Sequence, residues 1–138
     1  MNFLRVMLAD DEPVVRQGLA MLLRLHPGLE IVGEARTGEE AVAFASQLQP
    51  DLILMDVKMP DLDGITATKV IRSLFPQIAV LVLTMHDDAA TRSAAEVAGA
   101  LGLLPKYLVP EKLLPIIDQL IKARQVSRDP IENQPEES

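Results

Sequence analysis

The sequence predicts an α/β protein, a doubly wound parallel sheet of five strands, and three observations lead there. Short apolar runs alternate with helix-length amphipathic segments along the whole chain. Several runs end abruptly on polar residues: Ala9 on Asp10-Asp11, Met55 on Asp56, Leu83 on Thr84, and Leu104 just before Lys106. Gly, Pro and Asp punctuate the boundaries where such a sheet needs turns, and no segment repeats internally. For this count of elements the flavodoxin-like strand order 2-1-3-4-5 is the default, with ligands beyond the carboxyl ends of the first and third strands.

Leu4 to Ala9 is apolar apart from Arg5 and reads as the first strand, with Asp10, Asp11 and Glu12 after it. Pro13 suits the first turn of a helix with Val15, Leu19, Leu22 and Leu23 on one face and Arg16, Gln17 and Arg24 opposite. His26-Pro27-Gly28 stops it, leaving His26 exposed near a helix C-terminus, where positive charge is favoured. Leu29 to Ala35 is the second strand, Thr37-Gly38 a turn, and Glu39 to Gln49 a helix with Ala41, Phe44, Ala45 and Leu48 inward. Leu52 to Met55, after the turn signal Pro50-Asp51, reads as a strand buried on both faces that delivers Asp56 to the sheet edge.

Beyond the loop Met59 to Gly64, a helix is expected from about Ile65 to Phe75, with Ala67, Val70, Ile71 and Leu74 inward and Pro76 ending it. Ile78 to Leu83 is the most hydrophobic strand, closed by Thr84. Ala89 to Ala98 offers mainly alanines and Val97 to a core, so it is expected to be the least stable helix. Gly99 and Gly102 bracket the entry to a short strand near Leu101 to Leu104. The last helix is expected from Pro110 to Arg124. Its Leu113, Leu114, Ile116, Ile117, Leu120 and Ile121 exceed what one inward face needs and suggest a partner surface. Pro115 should kink this helix or delay its regular start.

The length of 138 residues suits one domain, here 1–124, with 125–138 as a flexible acidic linker or tail. Hydrophobic residues at 49% and charged residues at 24% give a globular balance. A net charge of -7 opposes direct binding of nucleic acid or an anionic membrane by this chain, since both need a basic footprint. The absence of cysteine removes disulfides and thiolate metal sites and permits a cytoplasmic location. The apolar start is too short for a signal peptide, and no segment approaches membrane-spanning length.

In this topology four strand ends bring Asp10-Asp11, Asp56, Thr84 and Lys106 to one place. Close carboxylates repel one another, and a hard divalent cation such as Mg²⁺ relieves that by taking oxygen ligands. Lys106 adds a compact positive charge and Thr84 a hydroxyl donor. These are parts for phosphoryl transfer, in which one carboxylate attacks phosphorus. Taken singly, each has a plainer use: Asp10 and Asp11 as caps of the first helix, Asp56 as a turn cap, Thr84 as a strand end, Lys106 as a solvated charge. His86 lies on the rim of the same site.

The motifs Asp10-Asp11, Asp56-Val57-Lys58-Met59-Pro60 with Asp63-Gly64, Leu83-Thr84, and Gly99-Ala100-Leu101-Gly102 leading to Lys106 resemble those of response regulator receiver domains. Leu83 to Asp88 and Ile71 to Pro76 resemble the NarL/FixJ (LuxR-type) branch, whose members usually carry a C-terminal helix-turn-helix. The resemblance implies that Asp56 accepts a phosphoryl group from a histidine of a sensor kinase. It implies Mg²⁺ on Asp11, Asp56 and the backbone carbonyl of Lys58, assisted by Asp10, with Thr84 and Lys106 binding the phosphoryl oxygens. It further implies a signalling switch rather than a turnover enzyme, dimerisation on phosphorylation through the last helix or the face beside it, and transcription control through a DNA-binding domain outside this chain. Lys58 and His86 occupy positions that tune loss of the phosphate in the family.

Two departures bear on this. Leu103 stands where many receivers carry an aromatic residue, and Pro105 precedes Lys106, which puts the reach of that lysine in question. A receiver-like module that binds partners without phosphorylation is therefore an alternative. An aspartate-nucleophile phosphatase is another, opposed by Lys58 standing where that class needs a second aspartate.

Overall fold

The central strands are apolar on both faces because helices cover both faces of the sheet. The protein, described by a computed structural model over residues 3–133, pairs β1 (Leu4–Ala9), β2 (Leu29–Ala35), β3 (Leu52–Asp56), β4 (Ala79–Thr84) and β5 (Gly102–Pro105) in parallel. Their order is β2-β1-β3-β4-β5, as the alternation of elements predicts. The helices are α1 (Pro13–Leu23), α2 (Gly38–Leu48), α3 (Gly64–Leu74), α4 (Ala89–Val97) and α5 (Val109–Asn133), the last preceded by a 3-10 turn at Lys106–Leu108.

Strand side chains alternate between two cores. Leu4, Val6 and Leu8 of β1 join Leu52 and Leu54 of β3 and pack against Leu19 and Leu23 of α1 and Leu113 and Ile117 of α5. Met7, Ile53, Met55, Val80 and Val82 face the other way, onto Ala41 and Ala45 of α2, Ala67 and Ile71 of α3, and Ala95 of α4. Small residues on α2 and α4 bring those helices close to the sheet, whereas α1 and α5 fill their layer with leucine and isoleucine.

The helix starts follow their caps. Thr37 accepts from Glu40 N at 3.0 Å, so α2 begins at Gly38 rather than Glu39. Asp63 accepts from the amides of Ile65 and Thr66, each at 2.9 Å, so α3 begins at Gly64. Two inward assignments are corrected. Leu74 is 59% exposed and Val97 80% exposed. The buried residues Gly64, Ala67, Thr68 and Ile71 set the inward axis of α3; at about 100° per residue Phe75 lies roughly 30° from it and Leu74 roughly 70°, and Val97 turns away from Ala95 and Ala98. The core side of α4 is thus alanine alone.

α5 runs through Pro115 without a later start, and packing on the core takes up part of its surplus of apolar residues. Leu113 and Ile117 are fully buried, and Leu114, Ile116, Leu120 and Ile121 pack half-buried against the same core. Two polar ties fasten it. His26 is half-buried, accepts from Gly28 N on Nδ1 at 2.9 Å, and meets Asp118 Oδ1 through Nε2 at 2.6 Å, so it is not the exposed residue expected at a helix end. Arg124 Nη2 lies 3.2 Å from Asp51 Oδ1 at the amino end of β3. The helix passes the 124/125 boundary at which composition predicts a tail, and residues 134–138 of that tail lie outside the described residues.

If packing is distributed this way, Ile117→Ala should cost about 3 kcal/mol, and Val97→Ala should change stability by less than about 0.5 kcal/mol. Urea denaturation of both variants checks the contrast.

Candidate functional site

Register places the polar strand ends side by side. Ala9 pairs with Met55, Asp56 with Leu83 and Thr84 with Pro105, so Asp10, Asp56, Thr84 and Lys106 emerge along one edge. Carboxylate oxygens of Asp10, Asp11 and Asp56 lie within 4.8 Å of one another. Asp10 is 1% exposed and Asp56 7%, whereas Asp11 is exposed. Lys106 Nζ sits between the two buried acids, 2.9 Å from Asp56 Oδ1 and 3.1 Å from Asp10 Oδ2. Pro105, an edge-strand residue with φ -61°, does not prevent that reach.

The charges do not balance. Burial raises the Asp56 carboxyl above its ordinary range; the Lys106 ammonium opposes this, and Asp10 and Asp11 add to it. Burial alone would favour a neutral Lys106 amine, but hydrogen bonds and attraction to Asp56 and Asp10 hold its pKa above the usual value. The arrangement is an oxygen-only, net anionic cluster. Such a donor set fits a small hard divalent cation rather than a soft metal.

The plainer roles are mostly not the ones observed. The cap residue of α1 is Glu12, which makes no side-chain cap bond. Asp10 Oδ1 accepts from Glu12 N at 2.9 Å, and its backbone carbonyl accepts from Arg16 Nη1 at 2.6 Å. Arg16, placed by periodicity on the outward face, also pairs with Glu34 at 3.0 Å and so locks the Asp10 backbone to α1 and β2. Thr84 is buried at the edge, but its hydroxyl accepts from His86 N at 3.0 Å and donates to His86 O at 3.1 Å. The structure brings Thr84 to the site without aiming its hydroxyl at Asp56.

The cleft beyond these residues has a volume of about 440 Å³, with Glu12, Lys58, His86 and Thr91 on its walls. The seating of Asp56 depends on Gly64. A Cβ there would stand 1.8 Å from the Asp56 backbone oxygen, so the first residue of α3 must lack a side chain for the helix to pass beneath β3. In the sequence the Asp63-Gly64 pair is a loop signal and part of the receiver-like motif set, but neither reading shows this close approach to Asp56.

With this geometry in view, comparison with known proteins is decisive. The profile of the response regulator receiver domain matches residues 6–118. The chain belongs to the response regulator receiver family. This receiver domain is 39% identical over 111 residues to the transcriptional regulatory protein LnrK of Bacillus subtilis, covering 80% of this chain and 50% of that protein. It spans half the length of that relative. Among solved structures it resembles a LuxR-family two-component response regulator from Aurantimonas sp. SI85-9A1, with TM-score 0.83, 34% identity, and 88% and 87% of the two chains covered. It likewise resembles the isolated receiver domain of RcsB from Salmonella enterica serovar Typhimurium, solved with the phosphomimetic BeF3-, with TM-score 0.81, 30% identity, and 88% and 90% covered. The protein is thus a two-component signalling module of the LuxR/NarL kind, and its relatives include transcriptional regulators. No helix among the described residues is long and apolar enough to cross a membrane.

The electrostatics of this receiver domain have a measurable sign. Because folding raises the Asp56 pKa, the fold favours its neutral form. That contribution is present below the ordinary carboxylate range and is lost as pH rises through the raised value. At neutral pH without divalent cation, Asp56→Asn should therefore melt a few degrees higher than the parent, with the gain shrinking on acidification. Melting curves across the acidic range check this.

Proposed function

We propose that Asp56 is the phosphoacceptor of this receiver domain. One observation carries the reading: a buried carboxylate at the end of β3 lies 2.9 Å from the Lys106 ammonium, within an anionic cluster that opens onto a cleft. An Asp56 oxygen forms the new P–O bond while the P–N bond to a sensor kinase histidine breaks, its electron pair returning to the imidazole nitrogen. Lys106 then exchanges its carboxylate contacts for a phosphoryl oxygen. Thr84 rotates from the His86 backbone to donate to another. Mg²⁺, held by Asp10, Asp11, Asp56 and the backbone carbonyl of Lys58, would offset the charge of the transferring group.

The domain is taken as residues 1–124, with 125–138 leaving it as a linker toward an output domain outside this chain. Control of transcription is proposed from the kind of relative it matches. A cytoplasmic location, a sensor histidine kinase as donor, and a homodimer formed through α5 or the surface of α4, β5 and α5 complete the reading. Its chemistry is confined to its own phosphorylation and dephosphorylation.

Intact mass after incubation with Mg²⁺ and acetyl phosphate tests it. The parent should gain one phosphoryl group, lost in Asp56→Asn and slowed roughly 100-fold or more in Lys106→Ala. An unmodified parent with bound cation and intact fold would favour the phosphorylation-independent module instead.

Cation affinity adds a further check. Protonation of Asp56 removes a ligand, and its pKa is raised, so Mg²⁺ affinity should fall on acidification already above the ordinary carboxylate range. Calorimetric titration as a function of pH measures that fall.

A further inference from the structure

The two ends of α4 are held in different ways. At the amino end residues 85–90 are all exposed, and Asp88 caps the helix by accepting from Thr91 N at 2.7 Å. Along its length only Ala95 is buried. At the carboxyl end Ala98 is buried, Ala100 N donates to Ala95 O at 3.0 Å, and Leu101 N donates to Val80 O of β4 at 2.7 Å. The Gly99 carbonyl between them accepts from Arg72 Nε at 2.9 Å.

Arg72 lies on α3 and does more than this. Its Nη1 donates to Ile78 O at 2.7 Å and also to Pro76 O. One guanidinium therefore ties α3, the turn into β4 and the turn out of α4. Its stem packs on Gly99, where φ is +95° and an added Cβ would lie 3.3 Å from Arg72 Cβ and 3.4 Å from Cγ. Backbone conformation and the close stem both call for glycine there. Lysine, with a single nitrogen, cannot present donors in this fixed fork.

We propose that Arg72 is the fulcrum of α4, pinning its Gly99 end while its Asp88 end swings as Thr84 lets go of the His86 backbone. The drive for the swing rests on the phosphoacceptor reading; the clamp does not. A helix pinned at one end and lightly held at the other turns about the pin instead of sliding. Displacement is then largest at Asp88, beside the site, and smallest at Gly99. Arg72 touches no reacting atom and acts as a positioning residue.

Amide hydrogen exchange on the 138-residue chain tests both parts. Without additive, Ala100 and Leu101 should exchange more slowly than Thr91 and Arg92. Arg72→Ala should speed exchange at Ala100 and Leu101 roughly tenfold or more while amides of β1 and β3 stay protected. With Mg²⁺ and beryllofluoride, the parent should respond at residues 86–92 and remain unchanged at 99–101, whereas in Arg72→Ala the response should spread to 99–101. A merely structural arginine would lower protection without moving the place of the response.

Equal responses at both ends of α4 in the parent would overturn the fulcrum, as would unchanged exchange of Ala100 and Leu101 in Arg72→Ala. No response to beryllofluoride anywhere would count against the phosphoacceptor reading instead, and the additive-free comparison would still decide the clamp. If Arg72→Ala loses protection across the whole sheet, Arg72→Lys keeps the stem and one donor and supplies the same comparison.

Discussion

The Lys106 ammonium, wedged between the carboxylates of Asp10 and Asp56, is the contact on which the rest of this structure turns. Two unit charges about 4 Å apart attract by about 4 kcal/mol at an effective dielectric of 20, which here offsets only part of the cost of burying the Asp56 carboxylate. Two acidic side chains share that cation, and a third, Asp11, lies in the same cluster at the edge of the sheet. The fold tolerates the surplus because everything beneath it is rigid. β1 and β3 are central strands with both faces covered, Arg16 holds the Asp10 carbonyl, and Gly64 lets α3 pass directly under the Asp56 backbone. The donor set of such a site fits a small hard cation.

Around this rigid base the structure keeps one lightly held element. Thr84 satisfies its hydroxyl on the backbone of His86, so that hydroxyl is not orphaned in the resting arrangement. Releasing that pair costs little if the hydroxyl finds a charged oxygen in exchange. α4 follows the same logic, with alanines toward the core and its largest side chains toward water. A few kcal/mol of differential binding can then shift populations between two arrangements.

Much of this was legible in the chain because buried parallel strands read as unbroken apolar runs. Leu4–Ala9 and Leu29–Ala35 have the expected bounds, and the strand order followed from the alternation of elements. The helices α2 and α3 begin one residue earlier than periodicity suggests because their caps, Thr37 and Asp63, decide the start. Leu74 and Val97 were misassigned because hydrophobicity alone does not fix the axis of a helical face. Among the site residues, the strand ends pointed to Asp10, Asp11, Asp56, Thr84 and Lys106. Pattern could not say that Asp10 is buried and Asp11 is not, that the Thr84 hydroxyl is turned to His86, that Arg16 holds the Asp10 carbonyl, or that Arg72 holds the distant carbonyl of Gly99. Those are products of packing, and no local signal encodes them.

The fastening of α5 carries one more implication. His26 grips Asp118 from the turn after α1, and Arg124 grips Asp51 at the opposite edge of the sheet from the acidic cluster. The helix is thereby moored at Asp118 and at Arg124, which fixes its bearing relative to the sheet over that stretch. A change at Asp56 would then be felt as an altered face beside α5, with the helix serving as a mast rather than a tiller.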